Sequence, residues 1–360
     1  MAPDRASALK STRVDAHRTW VAGLRTARLG NGLITLRPAL WERDERVGPG
    51  WKQLPTVPVE ANSMRFNDVD AVSPDAALVV GDNLTGGGIV TQRWDGTRWR
   101  TEPAPSAPDA IGGGLLAVDA RTPGDAWAVG WQQVPMAPDT SRHVGVIQRW
   151  NGTEWKPAHL PDVGEGPAGE VTLWDVVATG RDTAWAVGNL VDGAGAGAGA
   201  EPLVLRFDGT RWHKEQLPSF AGIRAGLESV TAGPDGTVWA VGRKALGGGV
   251  RSGLVLRYDG RSWTEVPVPD DVQRIHSVAF AGGAPVVVAT VADAFAGQAP
   301  RVLRYRHGSW GSLELPGAVD GAPLSAWHVS AHSDGLDVAG SLPSADGQEL
   351  GPAVVLSLRR

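Results

Sequence analysis

Cysteine is absent from the 360-residue chain, which excludes disulfide scaffolds, thiolate metal sites and cysteine nucleophiles. An excess of positive charge is also missing: 34 Lys and Arg stand against 39 Asp and Glu, with charged residues at 20%. That balance suits neither a disordered polyelectrolyte nor a basic nucleic-acid binder. No apolar run approaches the roughly 18 residues that a membrane-spanning helix needs. Tyrosine and phenylalanine are scarce, at 2 and 5, whereas tryptophan reaches 16, glycine 48 and proline 26.

Residues 1–49 carry nine basic residues, eight of them Arg, and five acidic ones. None of this segment has the apolar core of about 7–15 residues of a secretory signal; the run Trp20-Val21-Ala22-Gly23-Leu24 stops at Arg25. A cytoplasmic location is the expectation from the chain as written. The segment reads as an Arg-rich extension or a degenerate repeat, with residues 50–360 as the folded domain.

An internal repeat runs through those residues. Arg93-Trp94-Asp95-Gly96-Thr97-Arg98-Trp99 returns as Arg149-Trp150-Asn151-Gly152-Thr153-Glu154-Trp155, as Arg206-Phe207-Asp208-Gly209-Thr210-Arg211-Trp212 and as Arg257-Tyr258-Asp259-Gly260-Arg261-Ser262-Trp263. A degenerate copy runs from Arg304 to Trp310. Asp-Gly or Asn-Gly between apolar-aromatic runs predicts a hairpin with a type I′ turn. Upstream lies a second frame, Asp125-Ala126-Trp127-Ala128-Val129-Gly130, repeated around Trp185 and Trp239, with Leu78 in the Trp position of the first copy. Short apolar strands precede these frames at 67–72, 116–120, 174–178, 228–232, 276–280 and 327–331. Four short antiparallel strands in each unit of about 50 residues predict an all-β β-propeller.

The outer Trp residues fall at 51, 99, 155, 212, 263 and 310. The last strand, 353–358, has no fourth strand after it, and the segment around Trp51 has the fourth-strand pattern. The spacing therefore predicts six blades closed by an N-terminal strand. Seven blades are the alternative, with the extra one drawn from 14–16, 20–23 and 33–37.

The Trp-Ala-Val-Gly strand followed by Arg-aromatic-Asp-Gly-Thr-x-Trp resembles a group of bacterial Trp-rich propeller repeat proteins, themselves loosely similar to kelch and Asp-box propellers. The resemblance covers about 50–360 and implies the architecture; export is common in such groups, so an extracellular location is the alternative it implies. The kelch Gly-Gly doublet is out of its usual place here, and the hairpin is a shortened Asp-box.

Identical placement in every unit assigns the repeated Trp residues to inter-blade packing and the repeated Arg to an aromatic face or a turn Asp. No P-loop, dinucleotide-binding fingerprint, HExxH or G-x-S-x-G motif is present, and no cofactor or metal is expected. His328 and His332 are about 13 Å apart on an extended strand and do not chelate one ion. The triplet Asn83-Leu84-Thr85 matches a glycosylation acceptor, and 193–200 is a Gly/Ala loop by composition.

Function on a repeat scaffold sits where the repeat breaks. Connections at 134–143, 161–169, 190–202 and 244–253 look long and irregular, and share a rim with the mouth of the central channel. Aligning the innermost strands puts Asp68, Ala117, Asp175, Ser229, Ser277 and His328 at one position, and Asn67, Leu116, Trp174, Glu228, His276 and Trp327 one step earlier. Acids, imidazoles and indoles converging on a concave mouth suit a small-molecule site. Asp68 and Asp175 are alternatively read as caps on backbone N–H groups of the next blade, and the Trp residues as channel plugs.

Three functions follow. A ligand or glycan binder would use Asn67, Asp68, Trp174 and Trp327. An enzyme of hydrolase, lyase or cyclase type would use Glu228 or Asp175 with His276 or His328 as an acid–base pair. A protein-interaction scaffold would use the rim loops. A small molecule or glycan is the leading expected partner.

Overall fold

The computed structural model describes residues 6–28, 34–48, 50–58, 63–83, 88–137, 140–164, 169–191, 200–293, 297–315, 318–319, 322–333, 335–343 and 350–359. The triplet at Asn83 and the 193–200 run fall largely outside them. The regular elements among these residues are all strands, and the fold is an antiparallel β-propeller.

The first sheet holds β1 (Ala6–Arg13), β2 (Arg18–Arg28), β3 (Ile34–Asp44) and β4 (Lys52–Gln53). Next, β5 (Met64–Ser73), β6 (Ala76–Asn83), β7 (Val90–Trp94) and β8 (Trp99–Thr101) share one eight-stranded sheet with four further strands. These are β9 (Gly112–Thr122), β10 (Asp125–Ala137), β11 (Thr140–Trp150) and β12 (Trp155–Ala158). The third sheet holds β13 (Glu170–Gly180), β14 (Thr183–Val191), β15 (Ala200–Phe207) and β16 (Trp212–Lys214). The fourth holds β17 (Arg224–Ala232), β18 (Val238–Gly247), β19 (Val250–Tyr258) and β20 (Trp263–Glu265). The fifth holds β21 (Val272–Ala281), β22 (Ala284–Asp293), β23 (Gly297–Arg306) and β24 (Ser309–Leu313). A ribbon of β25 (Ala318–Val319) and β26 (Ala322–Pro323) precedes a three-stranded sheet of β27 (Ser325–His332), β28 (Gly335–Pro343) and β29 (Leu350–Arg359).

Five sheets thus carry four or more strands, which corrects both the six-blade and the seven-blade expectation. The recurrence of the outer Trp residues at roughly every fifty residues hides the pairing of β6 with β9, through Asp82 to Gly114 and Asn83 to Gly113, that merges two repeats. The expected N-terminal closing strand is corrected too. Lys52 and Gln53 pair with Glu42 and Trp41 of β3, completing their own sheet. The ends meet instead by packing: Val21, Trp41 and Trp51 lie against Ala339, Ala353 and Val355.

The turns depart from type I′. Trp94 pairs with Trp99, leaving a four-residue loop in which Gly96 alone has positive φ. The Asp95 carboxylate holds this loop by accepting from the N–H groups of Thr97 and Arg98, both at 3.0 Å. Asn151, Asp208 and Asp259 repeat the arrangement. The degenerate copy is the one with two positive-φ residues, His307 and Gly308, between paired Arg306 and Ser309.

Each second-strand Trp fills the gap to the next sheet. Trp127 packs on Phe207 and Trp212, Trp185 on Tyr258 and Trp263, and Trp239 on Tyr305, at centroid distances of 4.8 to 5.6 Å. Trp20 does the same with Trp94 and Trp99. The cross-strand Arg149, Arg206 and Arg257 cover Trp127, Trp185 and Trp239, 5.0 to 5.7 Å from the ring centres. Two stretches expected as irregular connections are strand: 134–143 lies largely within β10 and β11, and 244–253 within β18 and β19 around a glycine turn.

Candidate functional site

The innermost strands β1, β5, β9, β13, β17, β21 and β27 adjoin one another around the channel. Each contains a β-bulge at the same place. In β13, Leu173 pairs with Gly188 and Asp175 with Val187, so Trp174 has no partner on β14. The equivalent unpaired residues are Leu9, Asn67, Leu116, Glu228, His276 and Trp327. A bulge re-aims the side chain it carries, and all of these residues line one cavity of about 710 Å³ at the channel mouth. A glycine stands opposite six of these bulges, and Ala289 holds the place in the fifth sheet. A Cβ at Gly188 or Gly242 would lie well inside contact distance of the Thr172 or Gly226 carbonyl oxygen.

One residue further along, the side chains serve the ring itself. Asp68 accepts from the Val118 N–H at 3.0 Å, Asp175 from Val230 at 2.9 Å, Ser229 from Val278 at 3.2 Å and Ser277 from Val329 at 3.2 Å. His328 Nδ1 accepts from the Ser11 N–H at 3.3 Å, joining the last sheet to the first. Asp, Ser and His at this position therefore share one task, accepting a backbone hydrogen bond, which Ala117 leaves to Asp119 and which Lys10 replaces with its ion pairs. Asp68, Asp175 and His328 line a second cavity of about 360 Å³ along the channel, and do not share the mouth with Glu228 and His276.

Lys10, on β1, separates the two cavities and lines both. Its ammonium donates to Asp175 at 2.8 Å and to Asp68 at 3.1 Å. Burial works against the ammonium, but the two carboxylates outweigh it and hold Lys10 above the ordinary lysine pKa. Burial pushes Asp68 up to about 7 despite Lys10. Burial, and then Lys10, lower His328 to about 3, which suits a neutral imidazole acceptor.

At the mouth, Glu228 Oε2 lies 2.8 Å from the Arg274 guanidinium and 3.8 Å from His276 Nδ1, and Glu228 Oε1 lies 3.7 Å from Arg243. Burial raises the Glu228 pKa, with Arg274 opposing it. His276 contacts Thr290 Oγ1 at 2.7 Å through Nε2, and burial, with Arg274 and Arg243, lowers its pKa to about 4. At neutral pH the imidazole is uncharged. Trp174 is 40% exposed and donates to Asn189 Oδ1 at 2.7 Å. Trp327 and Asn67 are more occupied, donating to the Ala8 carbonyl at 2.6 Å and the Leu115 carbonyl at 2.8 Å.

The sequence reading missed the cations. Lys10, Arg65, Arg224, Arg243, Lys244, Arg251 and Arg274 line the mouth against a single carboxylate, that of Glu228. Arg65 is committed to buried Asp82, and Lys244 to Glu265. Arg224 and Arg251 make no ion pair among the described residues. Lys244 and Arg251 lie in 244–253, a stretch whose composition suggests an irregular connection but which is strand, and the other cations lie at strand positions outside the repeat's fixed frame. Among the described residues no group of three or more His, Asp or Glu is placed to hold a metal ion.

No protein-family model and no curated protein matches the sequence. Among solved structures, the fold is similar to that of a polysaccharide lyase of a new family, an ulvan lyase. The TM-score is 0.63 at 11% identity, covering 99% of this chain and 95% of that one. It is also similar to the propeller domain of the Trilobed protease from Pyrococcus furiosus, described as having an open velcro topology, with a TM-score of 0.56 at 8% identity, covering 99% and 94%. A protein of unknown function from Dyadobacter fermentans gives a TM-score of 0.57 at 13% identity, covering 100% and 96%. At these identities the likeness is one of fold.

Proposed function

We propose that the channel mouth binds an acidic saccharide. The observation that carries this reading is the charge of the lining: once Lys10, Arg65 and Lys244 are set against their own carboxylate partners, Arg224, Arg243, Arg251 and Arg274 face the single carboxylate of Glu228, in a chain whose net charge is −5. Arg243 and Arg274 share Glu228 and leave guanidinium N–H groups for a ligand carboxylate, the pairing their fork geometry favours. Trp174 offers an apolar face to a sugar ring, and Glu228 accepts from hydroxyls. The volume of about 710 Å³ suits a ligand of a few sugar units. The ulvan lyase that shares the fold supports a saccharide as the ligand class.

Isothermal titration with a glucuronate-containing disaccharide and with cellobiose tests this at low and high salt. The acidic sugar should bind and weaken with salt, and Trp174→Ala and Arg274→Gln should each lower its affinity at an unchanged melting temperature. Equal affinity for cellobiose would overturn the reading.

A second reading is acid–base catalysis. Burial raises the Glu228 pKa against Arg274 and lowers that of His276, and the carboxyl and imidazole groups face each other at 3.8 Å, as a pair that exchanges protons with a ligand would. Turnover of an acidic polysaccharide, abolished in both Glu228→Gln and His276→Gln, would establish it. Binding without turnover would leave the binder.

A further inference from the structure

Resting on the acidic-saccharide reading, we infer that the ligand carries its charge on more than one sugar, because the mouth holds two separate anion subsites. The inner one is the Arg243–Arg274 pair beside Glu228 and His276. The outer one lies over Ala245 on the fourth sheet. Ala245 of β18 pairs with Arg224 of β17 on one side and with Arg251 of β19 on the other. Residues paired across an antiparallel sheet project from the same face, and all three line the mouth. Two strand spacings put the Arg224 and Arg251 backbones about 10 Å apart, with only the Ala245 methyl group between them.

Among the described residues nothing neutralises this outer pair. Arg224 and Arg251 are both exposed and have no ion-pair partner among the described residues, whereas Arg243 and Arg274 already have Glu228. Two arginines flanking a small residue form an open notch in which both guanidinium forks reach one carboxylate or sulfate. Arg243 lies two residues from Ala245 on the same strand face, so the notch and the inner subsite belong to one wall. Trp174 and Asn189 of the third sheet border the fourth at Gly226, where Asn189 approaches closely. The trough therefore runs from Trp174 across the fourth sheet to His276 on the fifth, and suits an oligomer better than a single acid.

The chain chemistry favoured is an oligouronide. Glu228 beside the inner subsite accepts from sugar hydroxyls, and Trp174 offers its exposed face to a sugar ring, so anion subsites alternate with hydroxyl and ring contacts along the trough.

The test titrates the full chain with galacturonate, trigalacturonate and a short single-stranded oligonucleotide. Trigalacturonate should bind at least tenfold more tightly than galacturonate. Arg224→Gln/Arg251→Gln should bring its affinity down to the monomer's, with a steeper salt dependence in the wild type than in the variant. Circular dichroism and melting temperature confirm folding, and Ala245→Glu, which places a carboxylate in the notch, gives the same loss by a different change. Equal affinity of monomer and trimer, undiminished trimer binding in both variants, or tighter binding of the oligonucleotide overturns the inference while acidic sugars still bind. Failure of every uronate to bind overturns the saccharide reading as well.

Discussion

Lys10 and Asp175 stand 165 residues apart in the chain and meet at 2.8 Å across the central channel. With Asp68 on its other side, the ammonium ties the first sheet to the second and third. Removing one partner of a buried ion pair typically costs about 3–5 kcal/mol. Lys10→Met should lower stability by that order at pH 8 and by less at pH 5. Asp68, already raised to about 7, would rise further without the cation, and a raised acid loses its stabilising contribution as pH increases. Urea denaturation at the two pH values measures the difference.

Two tryptophans should respond in opposite ways. Trp212 is 3% exposed and packed on Trp127 and Phe207, whereas Trp174 is 40% exposed. Trp212→Ala should cost about 3–5 kcal/mol, and Trp174→Ala less than about 0.5 kcal/mol. Denaturation midpoints report both, and saccharide titration should show the loss confined to the Trp174 variant among proteins that remain folded.

His328 sets part of the acid limit. Its folded pKa of about 3 lies below the ordinary imidazole value of 6.5, so the unfolded chain takes up the proton first. Its stabilising contribution is complete above pH 6.5 and is lost as pH falls from 6.5 toward 3. His328→Asn retains an acceptor for the Ser11 N–H and removes the titration. The fall in stability between pH 7 and pH 4 should then be smaller by about 2–3 kcal/mol, read from urea melts at each pH.

Gly242 should not accept a methyl group. Its Cβ would meet the Gly226 carbonyl oxygen at the bulge, and overpacking of this kind costs about 1–3 kcal/mol. Gly242→Ala should therefore lower the melting temperature and, by flattening the bulge, weaken saccharide binding through Glu228. An unchanged melting temperature would show that the bulge does not depend on the glycine.

The architecture was legible because its signals are local. An Asp beside a Gly marks a turn within a few residues, and a Trp at a fixed offset marks a packing position. The count of sheets was not, since the β6–β9 pairing joins backbone groups whose side chains say nothing about it. The first sheet was legible in part: 20–23 and 34–37, offered as strands of an extra blade, lie in β2 and β3, whereas β1 was missed and 14–16 falls between β1 and β2, because no Asp-Gly hairpin marks this sheet and Lys10 lacked a visible counterpart. The mouth position was found by aligning strands, yet the arginines of β17 to β19 were not. They belong to strand ends that extend past the repeat, where periodicity gives no guide. The neighbouring position misled in a different way. Asp, Ser and His differ in every bulk property and share only a lone pair within reach of an N–H, which composition does not reveal.

The unpaired residue in each innermost strand also separates the upkeep of the scaffold from its choice of ligand. Leu9 and Leu116 occupy mouth positions equivalent to Glu228 and His276, yet neither contributes a polar group. Because these side chains stand outside the strand ladders, exchanges at well-separated mouth positions should combine additively. The rim therefore acts as a ring of interchangeable fittings, and a selectivity change could be assembled one sheet at a time without redesigning the core.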